Sequence, residues 1–591
     1  MMAVAGRLEL GGVAGSLYEH VATYATCCMP PFFASAKDTT TMSIRPASKP
    51  PTATKATDAM QYSLADDLSE MAAYGSFMFL LNELRILAAK ANEDDENGEA
   101  GDGKDLFPSD AHNPTSANRS VATDGNGGAQ SNPFAPILTF PLCPSTMESV
   151  VRSNADRLIE LQGQKRHEAH LQMFDYFKNR NTGGGDGDGD GSSNDDYDEE
   201  AQNKTSRQSE PIILDYNEEE SAEGEDHLGL VYSLVVDHAK RCITVVFRGS
   251  VTASDWAANR DAFFVTVDNP LYTGKKKGGD SEGGGNDDKD DEVDANGQPR
   301  QLILHRGFYE YVYKSIGAKQ DDGDDDTMVE SQDQKQVGKD AQKSAKATTY
   351  PTNDAIPRQD QPARTKMEEI VAKTMSILDD HPDYEIFTTG VSLGGALTTV
   401  FAFFAAACYP ELGPITCYSF ASPKVGTLSF RMALQKLEAD GKLKIVRICN
   451  YADPVILLPK EPLSIIPCDA VLSTFFLGIR QSLIYRHVGL RIHLEPQPNR
   501  PAQISHTKLE LQFWRTFFSD IAKLWGRLFI CLAYIVCFWH SFTQNYRANH
   551  GYPEYWYRVQ SHLEEFKDLT LQGLYDKFLS GDRAHVKTVF M

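Results

Sequence analysis

Gly390-Val391-Ser392-Leu393-Gly394 lies between a β-type run, Tyr384–Thr389, and an apolar helical segment, Gly395–Cys408. A serine hydroxyl becomes a nucleophile when an imidazole takes its proton and a carboxylate orients that imidazole. Strand, tight turn and helix in immediate succession are what such a serine requires. The flanking glycines permit a strained turn and let helix and strand backbones approach closely, which exposes Oγ at the C-terminal edge of a sheet. The amide of Leu393, at the helix N-terminus, is then positioned to donate to an oxyanion. An ordinary tight turn before a buried helix is the alternative.

For the carboxylate, Asp453 follows the apolar strand Leu443–Cys449 and precedes Pro454, on a strand-end loop where it could orient a base or simply form a turn. The histidines after it are His487, His493, His506, His540, His550, His562 and His585. His487 and His493 belong to the strand region Tyr485–Leu494 and read as structural. His550, in Asn549-His-Gly-Tyr552, sits on a loop near the expected end of the site. The order Ser392, Asp453, His agrees with that of α/β-hydrolases.

Further motifs accompany the serine. Cys242–Phe247 leads into Arg248-Gly249-Ser250, followed by a segment bearing Trp256; then come His305-Arg-Gly-Phe-Tyr309, Phe420-Ala-Ser-Pro-Lys-Val-Gly426, Asn450-Tyr-Ala-Asp-Pro-Val455 and Tyr485-Arg-His-Val-Gly489. In this order, over roughly residues 228–550, the chain resembles the class 3 (fungal-type) lipase family. The resemblance implies Ser392 as nucleophile, Asp453 as acid and His540 as base. His540 stands in Phe538-Trp-His-Ser-Phe-Thr-Gln-Asn-Tyr546, similar to the family's His-Ser with a Tyr a few residues on; His550 is the runner-up. It also implies Ser250 as the second oxyanion donor, beside Leu393, and Val251–Phe264 as a lid carrying Asp255, Trp256, Phe263 and Phe264. That segment mixes aromatics with polar residues, as a flap that turns an apolar face to an interface must; a plain surface helix is the alternative. Two positions depart from the family: Val391 stands where it usually has His, and Ala421-Ser422-Pro423 where it has Gly-Ser-Pro, which leaves pocket shape and subfamily open.

The implied activity is hydrolysis of carboxylic esters of acylglycerols or related acyl lipids at a membrane or lipid-droplet interface, with no cofactor and no metal. Phospholipid or galactolipid acyl hydrolysis on the same scaffold is one alternative, and a non-catalytic lipase-like lipid-binding or interaction protein is another.

The elements that must position these residues follow from periodicity. Strands are expected at Leu228–Val236, Cys242–Phe247, Tyr384–Thr389, Ile415–Phe420, Leu443–Cys449 and Leu490–Leu494, with helices at Met367–Leu378, Gly395–Cys408 and Ser429–Leu437 between them. This alternation predicts an α/β fold, a mainly parallel sheet flanked by helices. Upstream, the spacing predicts helices over Asp66–Asn92 and Ser145–Arg180. The expected organisation is a mobile extension over 1–60, a helical extension with acidic stretches over 61–226, an α/β-hydrolase domain over 227–560 and a C-terminal helical tail over 561–591.

Four stretches, 93–132, 181–226, 274–300 and 317–366, are Gly, Asp, Asn, Ser and Gln mixtures that read as disordered. They carry the excess acid behind the net charge of −24, so the remainder is nearly neutral and no basic groove argues for nucleic acid. The cysteines show no paired spacing and suit a reducing compartment. With no basic n-region before an apolar core at the N-terminus, an intracellular, cytoplasmic or peripheral-membrane location is expected. The apolar run Leu528–Trp539 falls short of the ~20 residues of a spanning helix and suits a buried or interfacial one. Asp186-Gly-Asp-Gly-Asp-Gly191 resembles half a calcium loop, but Tyr197 stands where a bidentate Glu is needed.

Overall fold

β-Branched and apolar runs build the sheet. In the computed structural model, which describes residues 62–96, 140–182, 210–217, 230–273, 293–313, 365–459, 485–506, 544–546 and 548–579, the strands are β1 (Ile212–Asn217), β2 (Tyr232–Asp237), β3 (Cys242–Phe247), β4 (Phe264–Asp268), β5 (Gln301–His305), β6 (Glu385–Val391), β7 (Ile415–Phe420), β8 (Leu443–Asn450), β9 (Leu490–Leu494) and β10 (Gln503–His506). Eight of them form one sheet in the order β1-β2-β3-β6-β7-β8-β9-β10, while β4 and β5 pair as a separate ribbon. From β3 through β9 neighbours run parallel; β1, β2 and β10 join antiparallel at the two edges.

Helices cover both faces. They are α1 (Leu64–Glu96), α2 (Pro144–Ser153), α3 (Ala155–Gln162), α4 (Gln164–Thr182), α5 (Ala253–Arg260), α6 (Arg306–Tyr313), α7 (Lys366–Asp380), α8 (Leu393–Cys408), α9 (Leu428–Ala439), α10 (Tyr552–Ser561), α11 (Leu563–Phe566) and α12 (Leu571–Leu579). Alternate residues of each central strand enter opposite cores, as strand geometry requires. On β3, Cys242 and Val246 pack with α1, α4, α10 and α12 on one face, whereas Val245 and Phe247 pack with α6, α7, α8 and α9 on the other. The expected α/β architecture is borne out.

Local expectations needed correction. Six residues within 181–226, read as disordered, form the edge strand β1, with Ile213 and Tyr216 buried; a short apolar strand is diluted when composition is averaged over an acidic window. The stretch 274–300 ends earlier than expected, because Asp294 accepts from the amides of Thr273, Asn296 and Gln298 and knits 293–300 to the end of the preceding segment. Lys366, read as the last residue of a disordered stretch, opens α7, which a Thr365/Glu368 capping box starts. The single helix expected over Ser145–Arg180 is three. Asn154 turns its side-chain amide back to the Val150 carbonyl at 2.9 Å and ends the first, and Gly163, at φ 84°, separates the other two.

Among the described residues no helix is long and apolar enough to cross a membrane; the run Leu528–Trp539 lies outside them, as does the calcium-like Asp186–Gly191.

α1 binds to the sheet by more than apolar contact. Glu70, fully buried, pairs with Lys240 in the β2–β3 turn and lies 3.3 Å from Arg180 of α4, and the Tyr418 hydroxyl of β7 donates to Asp67 at 2.8 Å. Breaking such a buried network leaves uncompensated charge, so it fixes where α1 lies on the sheet. One α1 carboxylate is poorly served: Glu83 is 3.6 Å from Arg166 and its Oε2 lacks a hydrogen-bond partner. Burial pushes its carboxyl up to about 7 despite the guanidinium. A folded pKa above the unfolded one means stability present below about pH 4.5 that is lost as pH rises through about 7, on the order of 2–3 kcal/mol. Glu83→Gln should therefore raise stability to denaturant at pH 8 by up to that amount while changing it little at pH 5; an equal change at both pH values contradicts this.

Candidate active site

The elbow at Ser392 is held by backbone packing. Ser392 has φ 61° and ψ −120°, a conformation L-residues rarely adopt. Its amide donates to the Phe420 carbonyl of β7 at 2.9 Å, which fixes the turn to the neighbouring strand. The glycines are needed for close approach: a Cβ on Gly390 would lie 2.4 Å from the Gly394 backbone, and one on Gly394 would lie 2.3 Å from the Phe247 carbonyl oxygen. α8 thus starts against the end of β3, and Leu393 is its first residue. The Leu393 amide is therefore one of the first-turn N–H groups that no intrahelical carbonyl can accept from.

Asp453 reaches the site from the turn after β8, where Ala452 takes φ 61° and the Asp453 amide donates to the Asn450 carbonyl at 3.2 Å. Its fully buried carboxylate accepts from the Val455 amide at 2.9 Å and from the Tyr555 hydroxyl at 2.6 Å. Tyr555 in turn accepts from the Asn450 amide at 3.0 Å. The imidazole at this carboxylate is that of His550, with Nδ1 at 3.0 and 3.1 Å from the two oxygens and Nε2 at 2.9 Å from Ser392 Oγ. His540, the base first expected, lies outside the described residues; the position at Ser392 is taken by the runner-up.

The loop carrying His550 is pinned from three sides. Asn450 donates its side-chain amide to the Asn549 carbonyl at 3.0 Å, and Arg558 of α10 hydrogen-bonds the Asn549 side chain. Tyr546 stacks on the His550 ring with centroids 4.8 Å apart. With carboxylate at Nδ1, the neutral ring carries its proton there and presents the Nε2 lone pair to the Ser392 hydroxyl. That arrangement can withdraw the serine proton and return it to a leaving group.

Ser250 follows directly on β3. A Cβ on Gly249 would meet the Val391 carbonyl at 2.7 Å, so the end of β3 lies against the elbow. The Ser250 hydroxyl accepts from Asn259 of α5 at 2.6 Å. Asp255 differs from its three aromatic neighbours. It is buried and receives the Val251 and Thr252 amides at 2.8 Å each, with Arg248 at 3.3 Å and the Tyr311 hydroxyl also on it, so it anchors the start of α5. Trp256, Phe263 and Phe264 are 42%, 57% and 37% exposed.

His487 is half-buried, and desolvation pushes its imidazole well below the usual range, with Arg447 and Lys424 adding to the effect. It stays neutral, in keeping with a structural role.

Sequence reasoning missed Tyr555, Arg558, Asn450 and Tyr546. One available signal was Gly551-Tyr-Pro553, a helix start that puts His550 at the mouth of a loop. Tyr555 and Arg558, three apart on that helix, share the face turned to the site.

A serine on a strained strand–helix turn, joined through imidazole to a buried carboxylate on a mainly parallel sheet, defines an α/β-hydrolase. Residues 244–462 match the family Lipase (class 3). The chain is 32% identical over 104 residues to the chloroplastic galactolipase DONGLE of Arabidopsis thaliana, a match covering 16% of this chain and 20% of that protein, so it spans about a fifth of the length of that curated relative. Among solved structures it is similar to a triacylglycerol lipase from Penicillium expansum, at 13% identity, TM-score 0.28, and coverage of 48% of this chain and 70% of that one. It is also similar to the Rhizomucor miehei lipase propeptide complex, at 16% identity, TM-score 0.25, and coverage of 48% and 57%. The likeness to the class 3 lipase family is thus one of residues 244–462.

Loss of the imidazole at Ser392 should be far more costly than loss of the other candidate. In assays of ester hydrolysis, His550→Ala is expected to lower kcat by about a thousand-fold or more with KM within a few-fold, and His540→Ala to leave kcat within about three-fold. The reverse ranking would remove His550 from the reaction.

Proposed function

We propose that the protein is a carboxylic ester hydrolase of acyl lipids that works through Ser392, His550 and Asp453. The observation carrying this reading is the continuous hydrogen-bonded chain from Ser392 Oγ through His550 to Asp453, mounted on a strained elbow. Ser392 attacks the ester carbonyl as His550 Nε2 takes its proton; the oxyanion is received by the amides of Leu393 and Ser250; His550 then protonates the departing alcohol. Water repeats the sequence in reverse and releases the fatty acid. Asp453, held by Tyr555 and Val455, fixes the imidazole in the working tautomer and supports its positive charge.

Val251–Phe264 is the lid in this reading. Exposed Trp256, Phe263 and Phe264 support contact with an apolar interface, and the anchored Asp255 gives the segment a fixed end about which to move. Acylglycerols are the first substrate class. A galactolipid is the second reading, favoured by the likeness to a galactolipase over 104 residues.

Fatty-acid release from triacylglycerol, diacylglycerol, phosphatidylcholine and monogalactosyldiacylglycerol dispersions should separate these readings. Release from at least one lipid, reduced at least about a thousand-fold by Ser392→Ala, is the expected result. Unchanged lipid binding with no Ser392-dependent release from any of them would favour a non-catalytic lipid-binding protein and overturn the proposal.

A further inference from the structure

α1 lies outside the segment matched to the family, yet it reaches the two loops that flank the serine. A Cβ on Gly249 would sit 2.5 Å from Phe79 Cζ, so the ring rests directly on the backbone that leads into Ser250. The same ring stacks on Tyr552, two residues after His550, with centroids 5.1 Å apart and planes 19° from parallel. Tyr552 is itself backed by His170 of α4, stacked at 5.2 Å, with Arg166 5.7 Å from its ring centre. One turn earlier on α1, a Cβ on Gly75 would meet the Val391 side chain at 2.9 Å, so the helix runs close under the elbow. Phe79 is only partly buried against the core.

We propose that Phe79 is a specificity-determining residue that walls the acyl side of the active site, spanning from Gly249, just beyond β3, to Tyr552 at the start of α10. The inference rests on the ester-hydrolase reading above. In a lipid ester the acyl arm is pure hydrocarbon whereas the alcohol arm carries the polar groups, and the groups Phe79 meets here are apolar: the Tyr552 ring and the Gly249 α-carbon. A ring seated firmly in that gap limits the bulk of chain that can pass beside Ser250. The buried ion pairs of Glu70 and the hydrogen bond from Thr389 to the Met71 carbonyl at 3.3 Å hold α1 in place, so the ring is a fixed wall and not a loose side chain. Smaller residues at 79 open space for hydrocarbon, each methylene taken from water being worth roughly four-fold.

The test is kcat/KM on p-nitrophenyl esters of butyrate, octanoate and palmitate, for the full chain and for Phe79→Leu, Phe79→Ala and Phe79→Trp. The palmitate-to-butyrate ratio is expected to rise about five-fold or more in Phe79→Ala, less in Phe79→Leu, and to fall in Phe79→Trp. Thermal unfolding of each variant shows that it is folded, and the graded Leu and Trp variants carry the test where the alanine variant does not fold. Ratios within two-fold of the parent in every folded variant, whether overall activity falls or not, would overturn the proposal by making Phe79 a packing residue alone. A parent chain with no Ser392-dependent turnover of any ester would instead overturn the hydrolase reading, and this inference with it.

Discussion

The site depends on one steric constraint: three backbones meet at Gly390, Gly394 and Phe247 more closely than any Cβ allows. That contact forces α8 to begin directly at the end of the strand and leaves Ser392 at positive φ, with its hydroxyl 2.9 Å from His550 Nε2. Strain of this kind, on the order of 1–3 kcal/mol, persists only where the surroundings over-determine it. Here the surroundings are a helix buried along nearly its whole length and a hydrogen bond from Ser392 to β7. The same contact sets where α8 and its Leu393 amide begin, and the close approach of Gly249 to Val391 brings the end of β3 against the elbow, so the proposed nucleophile and the proposed oxyanion donors depend on one region of close backbone packing.

The proposed base and acid depend on a second, separable lock. Ninety-seven residues separate Asp453 from His550, and their meeting is secured by α10. Tyr555 bonds the carboxylate, Arg558 bonds the neighbour of the histidine, and Asn450 ties both loops together. Because α10 packs against α1, and α1 is fixed by the Glu70 ion pairs, the N-terminal helices support the catalytic geometry from the far side of the sheet.

The parallel sheet and the elbow were legible because both depend on local pattern: short, β-rich runs buried on both faces in β3, β6, β7 and β8, and glycines at fixed offsets from Ser392. β1 was not, since six useful residues sat inside a long acidic window, and neither were the breaks at Asn154 and Gly163, which interrupt a continuous helical periodicity without disturbing it. The histidine was the hardest. His540 and His550 lie ten positions apart, each with a tyrosine close behind in sequence, and what recommends His550 is a tertiary contact with Asp453 and Ser392 that no local spacing encodes. Residues such as Tyr555 and Phe79 carry no motif of their own; their importance comes only from what the fold brings next to them.

The central claim is that Ser392 is the nucleophile and that its reactivity comes from His550. Labelling the full chain with an alkyl fluorophosphonate in the presence of lipid, followed by peptide mapping by mass spectrometry, tests it directly. A single phosphonylated residue, Ser392, labelled at least about a hundred-fold more slowly in His550→Ala, is the expected result. Label on a different serine, or an unchanged labelling rate without His550, would contradict the account.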